Sequence, residues 1–131
     1  MGFKKVDVKT LDMKPFEKIG SEWMLISAAK DGKANTMTAS WGGIGVLWGK
    51  NVATVYIRPQ RHTKEFVDAG DTFTISFFGG EHMKELGYLG KVSGKDVPDK
   101  IEQSGLHLTE VDGQPGFEEA TQGLVCRKLY H

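Results

Sequence analysis

Apolar positions along this chain come in short bursts and two-residue alternations rather than in long helical stripes. Trp23-Met24-Leu25-Ile26, within residues 22–30, has the length of a buried strand. Asp31-Gly32 is a hairpin signal, so residues 34–40 are predicted to return beside it. Period-two alternation there puts Thr36, Thr38 and Ser40 on one face and Met37 and Ala39 on the other. Residues 41–51 carry Gly42, Gly43, Gly45 and Gly49, which predicts a loop with accessible backbone. Residues 52–58 read as a strand with Ala53, Val55 and Ile57 on one side. Thr63 is placed to N-cap a helix with Glu65 in its first turn, Phe66 and Val67 on its apolar face and Gly70 as its stop. Residues 72–78 alternate cleanly, with Phe73, Ile75 and Phe77 inward.

The remaining pattern is more broken. Residues 1–13 read as an edge segment or loose arm, and residues 15–20 as a single helical turn. Residues 81–89 suggest a short helix anchored by Met83, Leu86 and Leu89, followed by a polar loop at 91–95. Pro98 and Gly105 bracket another short helix containing Ile101. Strands are predicted at 106–111 and 123–130, joined by a turn-rich segment at 112–116. Short strands separated by small helices predict a mainly antiparallel barrel rather than a parallel sheet.

With 131 residues, the whole chain (1–131) is expected to be a single domain. Seventeen basic and seventeen acidic residues cancel, which leaves no whole-chain attraction to nucleic acid or acidic membranes. One cysteine forms no internal disulfide and fits a reducing compartment. No apolar run approaches the ~20 residues of a membrane span. The stretch from Met1 to Val6 lacks a signal-peptide apolar region and the serine or threonine of a myristoylation motif. The expected compartment is cytoplasmic.

Chemistry concentrates between Asn35 and Thr63. Asn35-Thr36-Met37-Thr38-Ala39-Ser40-Trp41 offers small and hydroxyl side chains on an extended strand, and Arg58-Pro59-Gln60-Arg61-His62-Thr63 leads into a helix. Arginines with a helix N-terminus make an anion site, and a flat polar ligand with a phosphate tail would suit both halves. The residues alone leave a second option, a solvated strand end whose arginines pair with Glu65 or Asp68. Other motifs fall away. Gly43-Ile44-Gly45 has Trp48 where a dinucleotide fingerprint needs its third glycine, and Gly90 to Lys95 lacks phosphate-loop spacing. Histidines 62, 82, 107 and 131 are scattered and Cys126 has no cysteine partner, which argues against a metal site and for a buried cysteine. No triad or carboxylate pair marks a catalytic residue.

Asn-Thr-Met-Thr-Ala-Ser-Trp (35–41) followed by Arg-Pro-Gln-Arg-His-Thr (58–63) resembles the flavin reductase-like family of FMN-binding split barrels, flavoredoxin-type proteins included. Ser93-Gly94-Lys95-Asp96, Asp99-Lys100 and residues 115–126 are similar to that family's later blocks, and the similarity runs from about Lys14 onward. The resemblance implies an antiparallel, Greek-key split β-barrel with short helices, and bound FMN. It assigns Met37, Thr38, Ala39, Ser40 and Trp41 to the flavin ring and ribityl chain, largely through backbone amides. Arg61 and Thr63 are assigned to the phosphate, with Asn35, Arg58, His62 and Lys95 as further contacts. Lys95 and Lys100 would otherwise be ordinary solvated lysines, and Trp41 and Trp48 either stack on a ring or pack in an interface.

Family members continue through further strands and a terminal helix, so a chain ending inside a strand at Leu129-Tyr130-His131 reads as a truncated or unusually short member. The implied function is oxidoreduction, with NADH or NADPH passing a hydride to FMN and on to an acceptor. The implied partners are flavin, nicotinamide, a second copy in a homodimer and a redox partner protein. Many reductases of the family carry paired prolines where this chain has Gly45-Val46-Leu47-Trp48-Gly49-Lys50-Asn51. Two other functions therefore stay open: a non-catalytic FMN electron carrier, and a flavin-less dimeric barrel serving as an interaction module.

Overall fold

The computed structural model describes residues 3–130. Expectations that rest on Met1, Gly2 and His131 lie outside the described residues. Eight strands are present there: β1 (Met24–Lys30), β2 (Lys33–Ala39), β3 (Gly42–Leu47), β4 (Lys50–Val55), β5 (Thr72–Phe77), β6 (Leu108–Val111), β7 (Gln114–Phe117) and β8 (Gln122–Arg127). The helices are short: α1 (Pro15–Gly20), α2 (Thr63–Ala69), α3 (Met83–Lys91) and α4 (Lys100–Ser104).

One local device recurs. Asp31-Gly32, Trp48-Gly49 and Asp112-Gly113 each place two consecutive residues at positive φ. Each joins antiparallel strands across a two-residue loop, with Lys30 facing Lys33, Leu47 facing Lys50 and Val111 facing Gln114. This left-handed pair matches the right-handed twist of the flanking strands, so three hairpins form from local sequence.

The central sheet has the order β2-β1-β5-β8, with every neighbouring pair antiparallel. Both faces of β1 are covered. Met24, Ile26 and Ala28 join Met37, Ala39, Phe73, Ile75 and Phe77 on one side, where α2 adds Phe66 and Val67. Leu25 points into a second cluster with Phe78, Leu86, Leu89, Ile101 and Phe117. Two-sided burial explains why Trp23–Ile26 reads as an unbroken apolar run. Hydroxyl groups add bonds within and between the sheets: Ser27 Oγ and Thr36 Oγ1 lie 2.8 Å apart on adjacent strands, and Thr74 Oγ1 of β5 donates to the Pro115 carbonyl of β7 at 2.6 Å.

The structure corrects several expectations. It is mainly β with antiparallel sheets and short helices, but β3-β4 and β6-β7 are separate two-stranded sheets, so hydrogen bonding does not close a barrel. The glycine-rich 41–51 segment is a hairpin rather than a loop. Gly42 is needed because a Cβ there would strike the Thr54 carbonyl, whereas Gly43 and Gly45 have open space around them. The strand expected to reach Arg58 ends at Val55, although Ala53, Val55 and Ile57 do pack on the core. Residues 114–116 of the 112–116 turn segment belong to strand β7. The last strand ends at Arg127, so residues 128–130 leave the sheet instead of continuing it.

Candidate functional site

Strand β2 and the segment after β4 converge on a groove with two compartments. The first, about 130 Å³, is lined by Met37, Thr38, Ala39, Ser40 and Trp41 of the β2 end, with Tyr56, Arg58 and Arg61 opposite. The second, about 200 Å³, lies between residues 58–63 and the turn that follows α3. Met37, Arg58 and Arg61 line both, so the two compartments meet. Each alone is smaller than the ~300 Å³ of a typical small-molecule pocket, and only the joined groove approaches that size.

The compartments differ in chemistry. Trp41 and Tyr56 flank the first and are 59% and 60% exposed, which leaves aromatic surface for a planar ligand. The Arg58 guanidinium stands 5.9 Å from the Trp41 ring centroid, within cation–π range. Thr38 Oγ1 donates to the Leu86 carbonyl at 2.5 Å and Thr36 is wholly buried. On the hydroxyl face of β2, Thr38 thus ties α3 to the sheet and Thr36 bonds to β1, while Met37 and Ala39 join the core on the other face.

The second compartment is basic. Arg58, Arg61, His62, Lys91 and Lys100 line it, and no carboxylate does so among the described residues. Arg61 Nη2 donates to the Gly90 carbonyl at 3.3 Å. Burial first, and then the neighbouring Arg58 charge, lower the Arg61 pKa. Glu65 Oε2 lies 2.8 Å from Nδ1 of His62, the N-cap of α2, and Lys64 pairs with Asp68 at 2.6 Å within that helix.

Thr63 is not the expected N-cap. His62 holds that position with no side-chain cap, and Thr63 is the first helical residue, 1% exposed. Its Oγ1 accepts from Asn35 Nδ2 at 2.7 Å, which leaves the hydroxyl proton for a second partner. Gly94 backs onto the same Asn35, and a Cβ at Gly94 would collide with its amide. The amides of Lys64 and Glu65 already donate to the Arg61 and His62 carbonyls at 3.1 Å, so the helix end offers fewer free donors than its position suggests.

Of the residues singled out from sequence, Met37 through Trp41, Arg58, Arg61, His62 and Thr63 line the groove. Asn35 sits behind it as a buried brace. Lys95 is exposed and lines neither compartment. Tyr56 and Lys91 line the groove without having been expected to, and Ser93, Gly94 and Lys100, named only as parts of similar blocks or as a weak candidate, line it too. Ser93 and Gly94 belong to the Ser-Gly-Lys-Asp block, whose Lys95 lies outside both compartments. Lys100 is 2% exposed rather than solvated, and its Nζ donates to the Leu89 and Val92 carbonyls at 3.1 and 2.8 Å.

The groove thus sets an aromatic-flanked strand end beside a basic pocket. The chain resembles an FMN-binding domain of a flavin reductase-like enzyme from Shewanella baltica OS155, with a TM-score of 0.79 and 23% identity, over 88% of this chain and 61% of that one. It resembles flavoredoxin from Methanosarcina acetivorans with a TM-score of 0.68 and 27% identity, over 81% of this chain and 56% of that one. These matches bear out the resemblance to flavin reductase-like, FMN-binding proteins drawn from the two sequence blocks. No family model matches the chain. A curated protein of Aeropyrum pernix, described as uncharacterized, is 27% identical over 100 residues, which is 75% of this chain and 38% of that protein. The chain thus spans between about a third and two thirds of the length of these relatives.

Proposed function

We propose that this chain is a single FMN-binding redox domain that holds the isoalloxazine ring along Met37–Trp41 and the phosphate in the basic compartment. The observation that carries this is the division of the groove: neutral and aromatic where a ring would lie, and basic without carboxylates where a dianion would lie. The residues fit the cofactor by the chemistry of their donors. Arg58, Arg61 and the Thr63 hydroxyl offer charge-assisted and neutral hydrogen bonds to a phosphate. The strand end keeps the ring side free of charge apart from the two arginines at its mouth. Bound FMN would supply the hydride chemistry, and the protein supplies position and polarity.

The activity expected is oxidoreduction with NADH or NADPH as donor. A second function, electron carriage without nicotinamide chemistry, is favoured by the similarity to a flavoredoxin and by Gly45–Lys50 standing where paired prolines would be. A homodimer in the cytoplasm completes the proposal; the dimer is supported by Val46 and Trp48, 73% and 65% exposed on a ribbon that the described residues cover only in part.

Titration with FMN, followed by the flavin spectrum, tests the binding half; protein that stays colourless in excess FMN would falsify it. Anaerobic mixing of FMN-loaded protein with NADH or NADPH separates the two functions. Rapid bleaching supports the reductase, and bleaching by dithionite alone supports the carrier.

A further inference from the structure

Trp41 and Arg58 face each other across the first compartment. Trp41 closes the wall that runs on from β2, Arg58 stands in the opposite wall, and its guanidinium lies 5.9 Å from the indole ring centroid. Their backbones are fixed. Trp41 sits between the buried Ala39 and Gly42, which backs onto the Thr54 carbonyl. Arg58 follows Ile57, which packs on the core, and precedes Pro59, which restricts its backbone; its carbonyl accepts from the Arg61 amide at 3.0 Å. Their side chains are not fixed in this way. Both residues are exposed, and no ion pair or side-chain hydrogen bond involves either among the described residues. Arg61, held by the Gly90 carbonyl, is near enough for its charge and that of Arg58 to repel, which favours the indole face as the place for the Arg58 guanidinium. With the two side chains in contact the compartment measures about 130 Å³, well under the ~300 Å³ of a typical small-molecule pocket.

We propose that Trp41 and Arg58 form a side-chain latch across this compartment, which must part before a planar ring can settle along the end of β2. The latch belongs to the ring half of the groove and rests on the FMN-binding function above. An exposed cation–π contact is weak, about 0.5–1 kcal/mol, so the closed arrangement outweighs the open one by about two- to fivefold. A ring that meets only the open arrangement is captured more slowly, and bound more weakly, by that factor. The direction of the effect separates a latch from a wall. A side chain that only lines a site holds the ligand, and its loss speeds release. A side chain that bars the site delays the ligand, and its loss speeds capture.

Stopped-flow mixing with riboflavin, followed by flavin fluorescence, reads capture and release separately. Riboflavin has no phosphate, so any bond from Arg58 to a phosphate stays out of the measurement. We expect Arg58→Gln to raise the association rate constant about two- to fivefold and to leave the dissociation rate constant unchanged. Trp41→Leu should show the same acceleration of capture. The double variant should associate no faster than either single one, because one contact can be broken only once. Association that is unchanged or slower in Arg58→Gln, or accelerations that multiply in the double variant, overturns the proposal. Should Trp41→Leu fail to fold, Trp41→Phe, whose ring holds a cation less well, takes its place and should give a smaller acceleration. Protein that binds neither riboflavin nor FMN removes the FMN reading instead, and proton NMR then decides the latch. Arg58 side-chain protons shifted upfield by the indole ring in the wild type, and returned to ordinary values in the Trp41 variant, retain it. Ordinary values in the wild type end it.

Discussion

The two halves of the groove are built by opposite means. The first half, where the ring is proposed to lie, has one continuous wall, Met37 to Trp41 at the end of β2, whose strand residues are fixed by β-sheet register, with Tyr56, Arg58 and Arg61 opposite. The basic half is assembled from three separate pieces: residues 58–63, the turn after α3, and Lys100 on α4. Backbone pairing holds the first, while side-chain bonds such as Asn35 to Thr63 and Arg61 to Gly90 hold the second. A site assembled this way should separate its ligands by their tails. Shape at the strand end serves any flavin, whereas charge in the assembled pocket serves only a phosphorylated one.

The sharpest way to break this comparison is Arg61→Ala. A charge-assisted bond is worth about 1.5–3 kcal/mol, so FMN should weaken by roughly 10- to 100-fold while riboflavin hardly changes. Equal losses for both ligands would make Arg61 structural and move the phosphate elsewhere. Ionic strength should act in the same sense more gently: raising salt weakens FMN and spares riboflavin, because only the basic half works by charge. Binding titrations at two salt concentrations read this directly.

Thr63→Ala has two consequences of different kinds. It removes a neutral donor from the basic half, a few-fold effect confined to FMN. It also leaves the buried Asn35 amide without its acceptor, at a cost of about 1–3 kcal/mol in stability. Chemical denaturation of the free protein isolates the second effect, and the ratio of the two flavins isolates the first. An unchanged denaturation midpoint would mean that Asn35 finds another partner. The smallest effect is expected at His107, whose ring meets Glu119 at 2.5 Å outside both halves. His107→Gln should leave both flavin affinities unchanged in the same titration, and a change in either would show that the groove senses the far side of the fold.

Much of this architecture was legible wherever turn chemistry and alternation agreed. Asp31-Gly32 with flanking apolar residues yields β1-β2, and Phe73, Ile75 and Phe77 face inward as period two requires. Strand β3 and the start of β4 were missed because four glycines suggest irregular backbone. Trp48-Gly49 is the same left-handed pair as the Asp-Gly turns, but tryptophan gives no warning of it. In the groove, the place of Arg58 and Arg61 was legible because they lie in the block that resembles the FMN-binding family, and both do line it. Lys100 was not, because its burial depends on carbonyls eight and eleven residues back that only the α3–α4 packing brings to it. Nothing local distinguishes a lysine that will be buried from one that will be solvated.

The ribbon β3-β4 carries a consequence for behaviour in solution. In the described residues its two strands pair only with each other, so their outer edges present unpaired backbone groups beside exposed Val46 and Trp48. Any contact that covers these groups binds the folded chain and not the unfolded one, and so stabilises it by mass action. Thermal stability should then depend on protein concentration, with Tm rising as the sample is concentrated. Val46→Lys should flatten that dependence while leaving the dilute-limit Tm nearly unchanged. Scanning calorimetry over a hundredfold range of concentration measures both, and a Tm indifferent to dilution would make the ribbon a solvated arm of a monomer.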